Sequence, residues 1–406
     1  MIEKKHWLLP EGISETLPPQ AYALERLRRE LLDLYRSWGY ELVFPPFIEY
    51  LDSLLTGTGG DLNLQTFKLT DQLTGRTLGI RADITPQAAR IDAHQLRREC
   101  PTRLCYQGTV LHSRSDTLAA SRSPRQIGAE LYGHGGVEAE LEILSLMIES
   151  LRRAGIEDIY LDLGHVGIFR GLSSQAGFDQ RQEHALFAAL QRKAIPEISG
   201  LLADYGTDEP TAGMLVSLAE LSGGDALKVA ADRLAGASQP VQHALDELRR
   251  LAGLLNKRYP DLPVHYDLAE LRGYHYHTGV MFAAYVPGMG QEVARGGRYD
   301  DIGKLFGRAR PACGFSADLN LLLKLGGGKH QVEKAILAPA VDDPVLLSRV
   351  QQLRSAGRQV IQALPGQPGD AEEMGCSEVL EQQGADWVVV AHASWNLKQE
   401  IQESTE

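Results

Sequence analysis

The sequence lacks a long hydrophobic run, contains few cysteines and has no excess of positive charge. No apolar stretch approaches the roughly 20 residues that a membrane helix needs, so we expect no membrane association. The net charge of −12 argues against a polyanion-binding role, because nucleic-acid affinity comes mainly from cations that neutralise phosphates. The four cysteines have neither CxxC spacing nor a nearby histidine cluster, which argues against a disulfide framework or a zinc site and favours buried structural thiols: Cys100, Cys105, Cys313 and Cys376.

The composition is that of a globular protein. A chain of 406 residues with 43% hydrophobic and 23% charged residues fits two or three domains. The N-terminus, Met-Ile-Glu-Lys-Lys-His, has neither an apolar signal core nor an arginine-rich amphipathic leader. We therefore expect a cytoplasmic location.

The order of helix and strand patterns predicts an α+β first domain over residues 1–325. Helical spacing is present at residues 22–38 and 137–154, and short strand patterns fill residues 66–83 as an antiparallel meander. The apolar stretch from Tyr40 to Glu49, broken by Pro45 and Pro46, suits an edge or interface strand. Consecutive helical segments at about residues 178–258 predict a helical insertion, after which strands resume at Val264 and a strand turns into a helix over residues 312–325.

The last part of the chain, residues 326–406, predicts a small α/β domain. Strand-like runs at Ala335, Arg358 and Asp386 alternate with segments that we interpret as helical. From Ala335 onward there are four Lys or Arg against eleven Asp or Glu, which makes an unfavourable surface for an RNA backbone.

Five segments, in order over roughly residues 8–325, resemble the catalytic domain of class II histidyl-tRNA synthetases. They are the first-motif pattern Gly39-Tyr40, Pro46 and Glu49, the amino-acid-binding loop Arg81-Ala-Asp-Ile-Thr-Pro, the pocket strand Arg125-Gln-Ile-Gly-Ala-Glu130, and two histidine-specific signatures at 271–279 and 296–300. A lone Gly-Gly-Arg-Tyr-Asp would be weak evidence for the resemblance, but five such segments in the same order as in the family are specific evidence. The resemblance implies a class II aminoacyl-tRNA synthetase-like antiparallel sheet flanked by helices, with Pro46 at a homodimer interface.

The resemblance also implies a histidine pocket. A zwitterionic ligand needs an acid for its ammonium group, and an imidazole needs polar partners at both nitrogens. By resemblance, the α-amino end is held by Asp83, Thr85 and Gln126, and the imidazole faces Glu130 with a tyrosine or histidine from residues 274–277. Arg272 corresponds to the arginine that contacts the carboxylate. The full set is Asp83, Thr85, Gln126, Glu130, Arg272, Tyr274, Tyr276, His277 and Tyr299.

Two of these positions depart from the synthetases, and one alternative remains open. Asp83 is one methylene shorter than the synthetase glutamate, and His277 replaces a tyrosine, so we expect altered affinity. Alternatively, the polar groups are ordinary strand residues at the rim of a cleft. Separately, Tyr274 and Tyr276 can be alternating strand residues with one face buried, in which case only one face of residues 274–277 lines the cleft.

The positions that would bind ATP have changed character. Class II synthetases use an arginine from each of the second and third motifs, but His112 and Leu321 stand there; Arg114 replaces a glutamate and Asp318 a glycine. Losing two charge-assisted contacts at ~1.5–3 kcal/mol each weakens transition-state binding by on the order of 10²–10⁴-fold. We therefore expect no efficient activation of histidine and no catalytic residue.

This combination resembles the ATP phosphoribosyltransferase regulatory subunits. The resemblance implies a non-catalytic chain, a homodimer within a hetero-oligomer, that serves a short catalytic subunit in the first step of L-histidine biosynthesis. L-histidine would be its feedback effector, with no cofactor, metal or tRNA. Two alternatives remain: an active histidyl-tRNA synthetase and a stand-alone histidine sensor.

Overall fold

The computed structural model describes residues 7–56, 60–114, 121–269, 276–327 and 335–392, without the side chains of residues 60, 61 and 305. The chain divides into two compact units at the boundary between residues 330 and 331. Within the described ranges, no helix combines the length and apolarity that crossing a membrane demands.

A nine-stranded sheet forms the centre of the first unit. Its strands lie in the spatial order β1 (Glu41–Val43), β5 (Thr102–Thr109), β6 (Arg125–Tyr132), β12 (Ala312–Asp318), β11 (Ala294–Arg298), β10 (Val280–Tyr285), β7 (Tyr160–His165), β9 (Val264–Asp267) and β8 (Ser222–Gly223). Neighbours are antiparallel except for β1 with β5 and β7 with β9, which are parallel. The six central strands thus form the predicted antiparallel sheet.

Helices cover one face of this sheet and enclose the main core. The helix α1 (Gln20–Ser37) buries Leu24, Leu27, Leu31 and Tyr35 at helical spacing, and the chain turns at Gly39 with a φ of +83°, a conformation that glycine adopts without strain. α5 (Val137–Arg153) contributes most of its length to the same core. α6 (Val166–Gln175) and α13 (Leu319–Leu325) complete this layer.

The predicted helical insertion shares the main core. It consists of α7 (Gln180–Gln191), α8 (Ile195–Asp204), α9 (Glu209–Leu218), α10 (Ala226–Arg233) and α11 (Gln239–Arg258). The short strand β8 interrupts these helices and pairs with β9. Buried leucines such as Leu186, Leu215 and Leu248 belong to the cluster that also fills the space beneath the sheet. The insertion is therefore packed into the first unit rather than held apart from it.

The second face of the sheet carries smaller elements. A three-stranded sheet contains β2 (Ile48–Tyr50), β4 (Thr77–Ile80) and β3 (Phe67–Thr70), with α2 (Leu51–Leu54) and α3 (Gly60–Gln65) beside it. α4 (Thr85–Arg90) runs into a π-helix (Ile91–Leu96), and α12 (Ile302–Leu305) lies near both. The meander predicted within residues 66–83 is the β3–β4 hairpin.

The stretch from Tyr40 to Glu49 lies at sheet edges, as predicted, but it forms two strands and not one. β1 ends before the two prolines and pairs with β5 at the edge of the large sheet, whereas β2 begins after them and pairs with β4 in the small one. Pro45 and Pro46 have no backbone N–H, so the chain leaves one ladder there and enters another.

The second unit has a four-stranded sheet with one described helix, α14 (Pro344–Ser355). Its strands lie in the order β14 (Val360–Gln362), β13 (Ala335–Ala338), β15 (Cys376–Gln383) and β16 (Asp386–Ala391). The expectation that a helical piece precedes Asp386 was wrong, because β15 forms an antiparallel hairpin with β16. One prediction about the cysteines also fails: Cys105, Cys313 and Cys376 are buried, but Cys100 is exposed.

Candidate functional site

The candidate site lies on the sheet face opposite the main helical layer, over strands β5, β6, β12 and β11. Strand pairing places Glu130 opposite Gly314, and Gly314 opposite Gly297. Gly128 lies opposite Tyr106. Residues paired in this way point to the same side of a sheet, so the site has a floor in which glycines alternate with polar side chains.

Gly128 and Gly314 provide the space that two of these polar side chains occupy. A Cβ at Gly128 would lie 2.6 Å from the Tyr106 hydroxyl, and a Cβ at Gly314 would coincide with the Glu130 carboxylate. Both side chains therefore lie flat over the neighbouring strand. Any larger residue at these two positions would displace them.

Glu130 is the centre of a buried hydrogen-bond network. Its Oε1 accepts from the Tyr106 hydroxyl at 2.8 Å, and its Oε2 accepts from the Tyr299 hydroxyl. Tyr106 also shares a hydrogen bond of 3.0 Å with Thr85 Oγ1, and Tyr299 contacts the Tyr132 hydroxyl at 3.5 Å. The network gives both carboxyl oxygens a partner in a place that excludes water.

Burial raises the pKa of the Glu130 carboxyl to about 8, although hydrogen bonds from Tyr299 and Tyr106 oppose this shift. At neutral pH the carboxyl is mostly protonated. The Thr85 and Tyr106 hydroxyls can exchange donor and acceptor roles, which accommodates the additional proton.

Asp83 and Gln126 form the more open end of the site. Gln126 Nε2 donates to Asp83 Oδ1 at 2.7 Å, and the backbone N–H of Thr85 donates to the same oxygen at 3.0 Å. Gln126 Oε1 accepts from the backbone N–H of Ile84 at 2.9 Å. Thr85 therefore bonds to Asp83 through its backbone and to Tyr106 through its side chain, which joins the two ends of the site.

Tyr276 and His277 both reach the site, contrary to the interpretation that residues 274–277 alternate along a strand. Tyr276 stacks on Tyr299 with ring centroids 5.0 Å apart, and its buried hydroxyl has no hydrogen-bond partner among the described residues. His277 lies over Gly297, where an added Cβ would be 2.8 Å from its Nδ1. The two residues precede β10 and are not in a strand, so their side chains need not point in opposite directions.

Burial lowers the pKa of His277 to about 4, so its imidazole is neutral at physiological pH. Its Nδ1 lies 3.3 Å from the backbone carbonyl of Arg298, an acceptor, which favours a proton on Nδ1 and therefore a lone pair on Nε2. Arg272 and Tyr274, the other two residues expected in the pocket, lie outside the described residues.

Of the four positions that correspond to the nucleotide site of the synthetases, His112, Asp318 and Leu321 make structural contacts here. His112 Nε2 lies 2.9 Å from the carbonyl of Ala82, and Arg114 is exposed. Leu321, where the synthetases carry arginine, is half-buried against the main core. An aliphatic residue there contributes to packing and offers no positive charge.

Asp318 is held by backbone groups. Its Oδ1 accepts from the N–H of Arg125 and from the N–H of Asn320, each at 3.0 Å, and the second bond caps α13. Burial raises the pKa of Asp318, although the two backbone hydrogen bonds oppose this effect. The carboxylate that we expected beside a nucleotide thus stabilises the junction of β12 and α13.

Tyr106 is the main residue of the site that the sequence analysis missed. It connects Thr85 with Glu130 and is fully buried. The resemblance to the synthetases was read from motifs on either side of it. The alternation of Leu104, Tyr106 and Gly108 along β5 is the signal that could have placed it on the face of Gln126 and Glu130.

Pro46 lies in an exposed apolar segment at the sheet edge. Phe44 and Phe47 are 75% and 38% exposed, and Ile48 is 41% exposed. The carbonyl of Pro46 accepts from Gln87 Nε2 at 2.8 Å, and the same amide group donates to Glu49. These bonds hold the segment against α4 with its apolar side chains outward.

Two family models match the chain. The model described as histidyl-tRNA synthetase matches residues 12–322, and the model described as ATP phosphoribosyltransferase subunit HisZ C-terminal domain matches residues 333–390. The first contains the sheet and candidate site, and the second coincides with the four-stranded sheet of the second unit.

Solved structures confirm the predicted class II synthetase-like fold. An ATP phosphoribosyltransferase regulatory subunit/histidyl-tRNA synthetase from Bacillus halodurans aligns with a TM-score of 0.80 at 26% identity, covering 91% of this chain and 95% of that chain. Histidyl-tRNA synthetase from Nostoc aligns with a TM-score of 0.76 at 20% identity, covering 98% and 99%, which is evidence of the fold alone.

Curated relatives give the same family over nearly the whole length. A protein named ATP phosphoribosyltransferase regulatory subunit from Alkalilimnicola ehrlichii is 59% identical over 386 residues, covering 94% of this chain and 96% of the relative. One of the same name from Thioalkalivibrio sulfidiphilus is 58% identical over 382 residues, covering 94% and 97%. The suspected family is confirmed: the chain belongs to the ATP phosphoribosyltransferase regulatory subunits, whose larger part has the histidyl-tRNA synthetase fold.

Proposed function

We propose that this chain is a non-catalytic regulatory subunit that assembles with a short ATP phosphoribosyltransferase catalytic subunit and binds L-histidine at the Glu130 site. Asp83 and Gln126 hold the α-amino group, and Glu130 faces the imidazole with Tyr276, His277 and Tyr299. Histidine then shifts the assembly toward a less active state through different affinities for the two states.

One contrast on the sheet carries this proposal. The polar groups around Glu130 form a connected network, whereas at the nucleotide positions Leu321 is half-buried against the core and Asp318 caps a helix. A pocket for an amino acid can work without a nucleotide. Adenylation, in contrast, requires cations against the phosphates of ATP.

The decisive experiment mixes the purified chain with a short catalytic subunit and measures joining of ATP to phosphoribosyl pyrophosphate. We expect activity to depend on adding this chain and to fall as L-histidine is added. A catalytic subunit that is already fully active and fully histidine-sensitive alone would overturn the proposal. Histidine binding by this chain without any effect on the partner would instead favour a stand-alone sensor.

The synthetase-like fold and family match keep an active histidyl-tRNA synthetase as the second candidate. ATP–pyrophosphate exchange with histidine separates it from the regulatory function. We expect exchange at background level for the chain alone. Exchange at an ordinary synthetase rate would favour the synthetase.

Glu130→Ala tests the pocket within the assembly. We expect weaker histidine binding in calorimetry, by about 10- to 100-fold, because two tyrosine hydroxyls lose their acceptor and the imidazole loses a partner. Sedimentation should show an unchanged assembly. Glu381→Ala, at an exposed position in the second unit, is the control. Equal histidine affinity in mutant and parent would remove Glu130 from the site.

We also propose that the exposed segment around Pro46 forms the interface of a homodimer within the hetero-oligomer. The supporting observation is the row of exposed apolar residues, Phe44, Phe47 and Ile48, on a segment that Gln87 and Glu49 hold in place. Phe44→Glu should convert dimers to monomers in sedimentation. A variant that stays dimeric would place the interface elsewhere.

A further inference from the structure

The site as described contains acids but needs a cation. A bound amino acid presents an ammonium, a carboxylate and a side chain, and its carboxylate is bound best by a guanidinium. Asp83 and Glu130 carry carboxyl groups, of which that of Glu130 is mostly protonated at neutral pH, and His277 is held neutral by burial. Resemblance places one cation at Arg272, which lies outside the described residues, and these described side chains of the pocket supply none.

Arg295 lies on the site face of β11. It pairs with Ser316 of β12, which in turn pairs with Gly128 of β6. Two strand spacings of about 4.8 Å place its Cα about 10 Å from that of Gly128. Among the described residues of β5, β6, β12, β11 and β10, it is the one lysine or arginine whose pairing places it on this face.

The side chain of Arg295 is available at the rim of the site. It is 66% exposed, and its Nη1 is 3.1 Å from Glu292, three residues earlier in the chain. An exposed ion pair of this kind is weak and can be exchanged for a ligand carboxylate. Arg295 also lies near His277, because its charge, together with that of Arg170, adds to the burial that lowers the pKa of His277.

Three other arginines near the site are engaged elsewhere. Arg81 donates to two backbone carbonyls and is buried. Arg298 faces the helical layer and forms a buried ion pair with Glu140. Arg125 donates to Thr16 and Asn320. None of these three can turn to a ligand without losing bonds that hold the fold.

We propose that Arg295 binds the carboxylate of the amino-acid ligand at the mouth of the pocket and makes the site selective for a zwitterion over the corresponding amine. This inference rests on the proposed histidine site. It assigns a second cation, beside the one that resemblance places at Arg272.

The test compares L-histidine with histamine, which has the imidazole and amine but no carboxylate. Calorimetry is performed on the full-length parent, Arg295→Gln and a control, Arg249→Gln, which removes another arginine with a carboxylate partner three residues away. We expect Arg295→Gln to weaken histidine binding by about 10- to 100-fold and to leave histamine binding within about twofold. Glu292→Gln, which frees Arg295, should bind histidine at least as tightly as the parent.

The other outcomes are distinct. Unchanged histidine affinity in Arg295→Gln overturns the proposal, as does an equal loss for both ligands, which would mean a damaged pocket. Selectivity lost in Arg272→Gln but retained in Arg295→Gln assigns the carboxylate to Arg272 alone and also overturns it. A parent chain that binds no histidine refutes the proposed function itself, and this inference with it.

Discussion

The two ends of one sheet face use polar residues in different ways. Around Glu130, side chains bond mainly to each other: Tyr106, Tyr299 and Thr85 form a connected network over glycines. Around Asp318, they bond mainly to backbone groups, as His112 does with the carbonyl of Ala82.

This difference shows how, on one sheet, polar residues can either stay available for a ligand or become part of the contacts that stabilise the fold. A network of side chains can exchange an internal hydrogen bond for one to a ligand, because each member has further donors or acceptors. A side chain that caps a helix or fills a core cannot leave its place without destabilising the fold. The Glu130 end therefore has the exchangeable side-chain contacts that a ligand site requires, whereas Asp318 is fixed by its bonds to backbone groups.

The largest expected effect comes from filling the floor at Gly314. A methyl group in Gly314→Ala occupies the position of the Glu130 carboxylate, so the network must break. We expect histidine binding to fall by on the order of 100-fold and unfolding stability to fall by about 1–3 kcal/mol. Calorimetry and urea denaturation measure the two effects.

Gly213→Ala is the matched control, because Gly213 lies in α9 with open space where its Cβ would be. Alanine is the better helix former, so this variant should be as stable as the parent or slightly more stable. If Gly314→Ala binds histidine as tightly as Gly213→Ala does, histidine binding does not depend on the space that Gly314 leaves for the Glu130 carboxylate.

A second expected effect is a pH dependence of the unfolding stability that comes from the Glu130 carboxyl alone. Its pKa is raised from 4.5 to about 8 in the folded chain, so the folded state holds this proton more tightly than the unfolded state. The contribution of the Glu130 carboxyl to the free energy of unfolding is therefore complete below pH 4.5 and is lost as the pH rises to about 8. Glu130→Gln cannot titrate, so its stability relative to the parent should improve steadily across this interval.

The measurement is urea denaturation of both chains at several pH values from 4.5 to 8. The parent also contains His277, whose lowered pKa destabilises the fold as pH falls from 6.5 to about 4, but both chains share this effect and it cancels in the difference. A stability difference that does not vary with pH would show that the Glu130 carboxyl titrates normally.

The smallest effects are expected at the Asp318 end, where arginines are restored at the two positions that have lost them. Leu321→Arg places a charge in a half-buried site and should cost about 2 kcal/mol. His112→Arg replaces one hydrogen bond to a carbonyl and should cost about 1 kcal/mol or less. Both variants should remain at background in ATP–pyrophosphate exchange. A rise in exchange for either single variant would mean that the Asp318 end can still bind ATP once a cation is restored.

Much of the fold could be predicted because its patterns are local. The apolar spacing of Leu24, Leu27 and Leu31 predicts α1, and the turn residues between Thr70 and Thr77 predict the β3–β4 hairpin. The errors arose where pairing is non-local. No pattern within residues 40–50 indicates that β1 and β2 pair with strands of different sheets. Likewise, β15 is a strand because β13 and β16 pair with it.

The candidate site was predictable as a set of residues but not as a network. Motif resemblance located Asp83, Gln126 and Glu130 without showing that Tyr106 joins Thr85 to Glu130. The alternation rule failed at Tyr276 and His277, because the chain there is not a strand.

The sequence by itself determined the family, most of the order of helices and strands, and the loss of the two arginines at positions 112 and 321. Only the tertiary structure decided which strands meet and therefore which side chains share a face. The strand register brings Glu130 over Gly314 and Arg295 opposite Ser316, and these contacts join residues far apart in the chain. Their physical reason is the pairing of backbone groups between strands, which no local pattern of residues specifies.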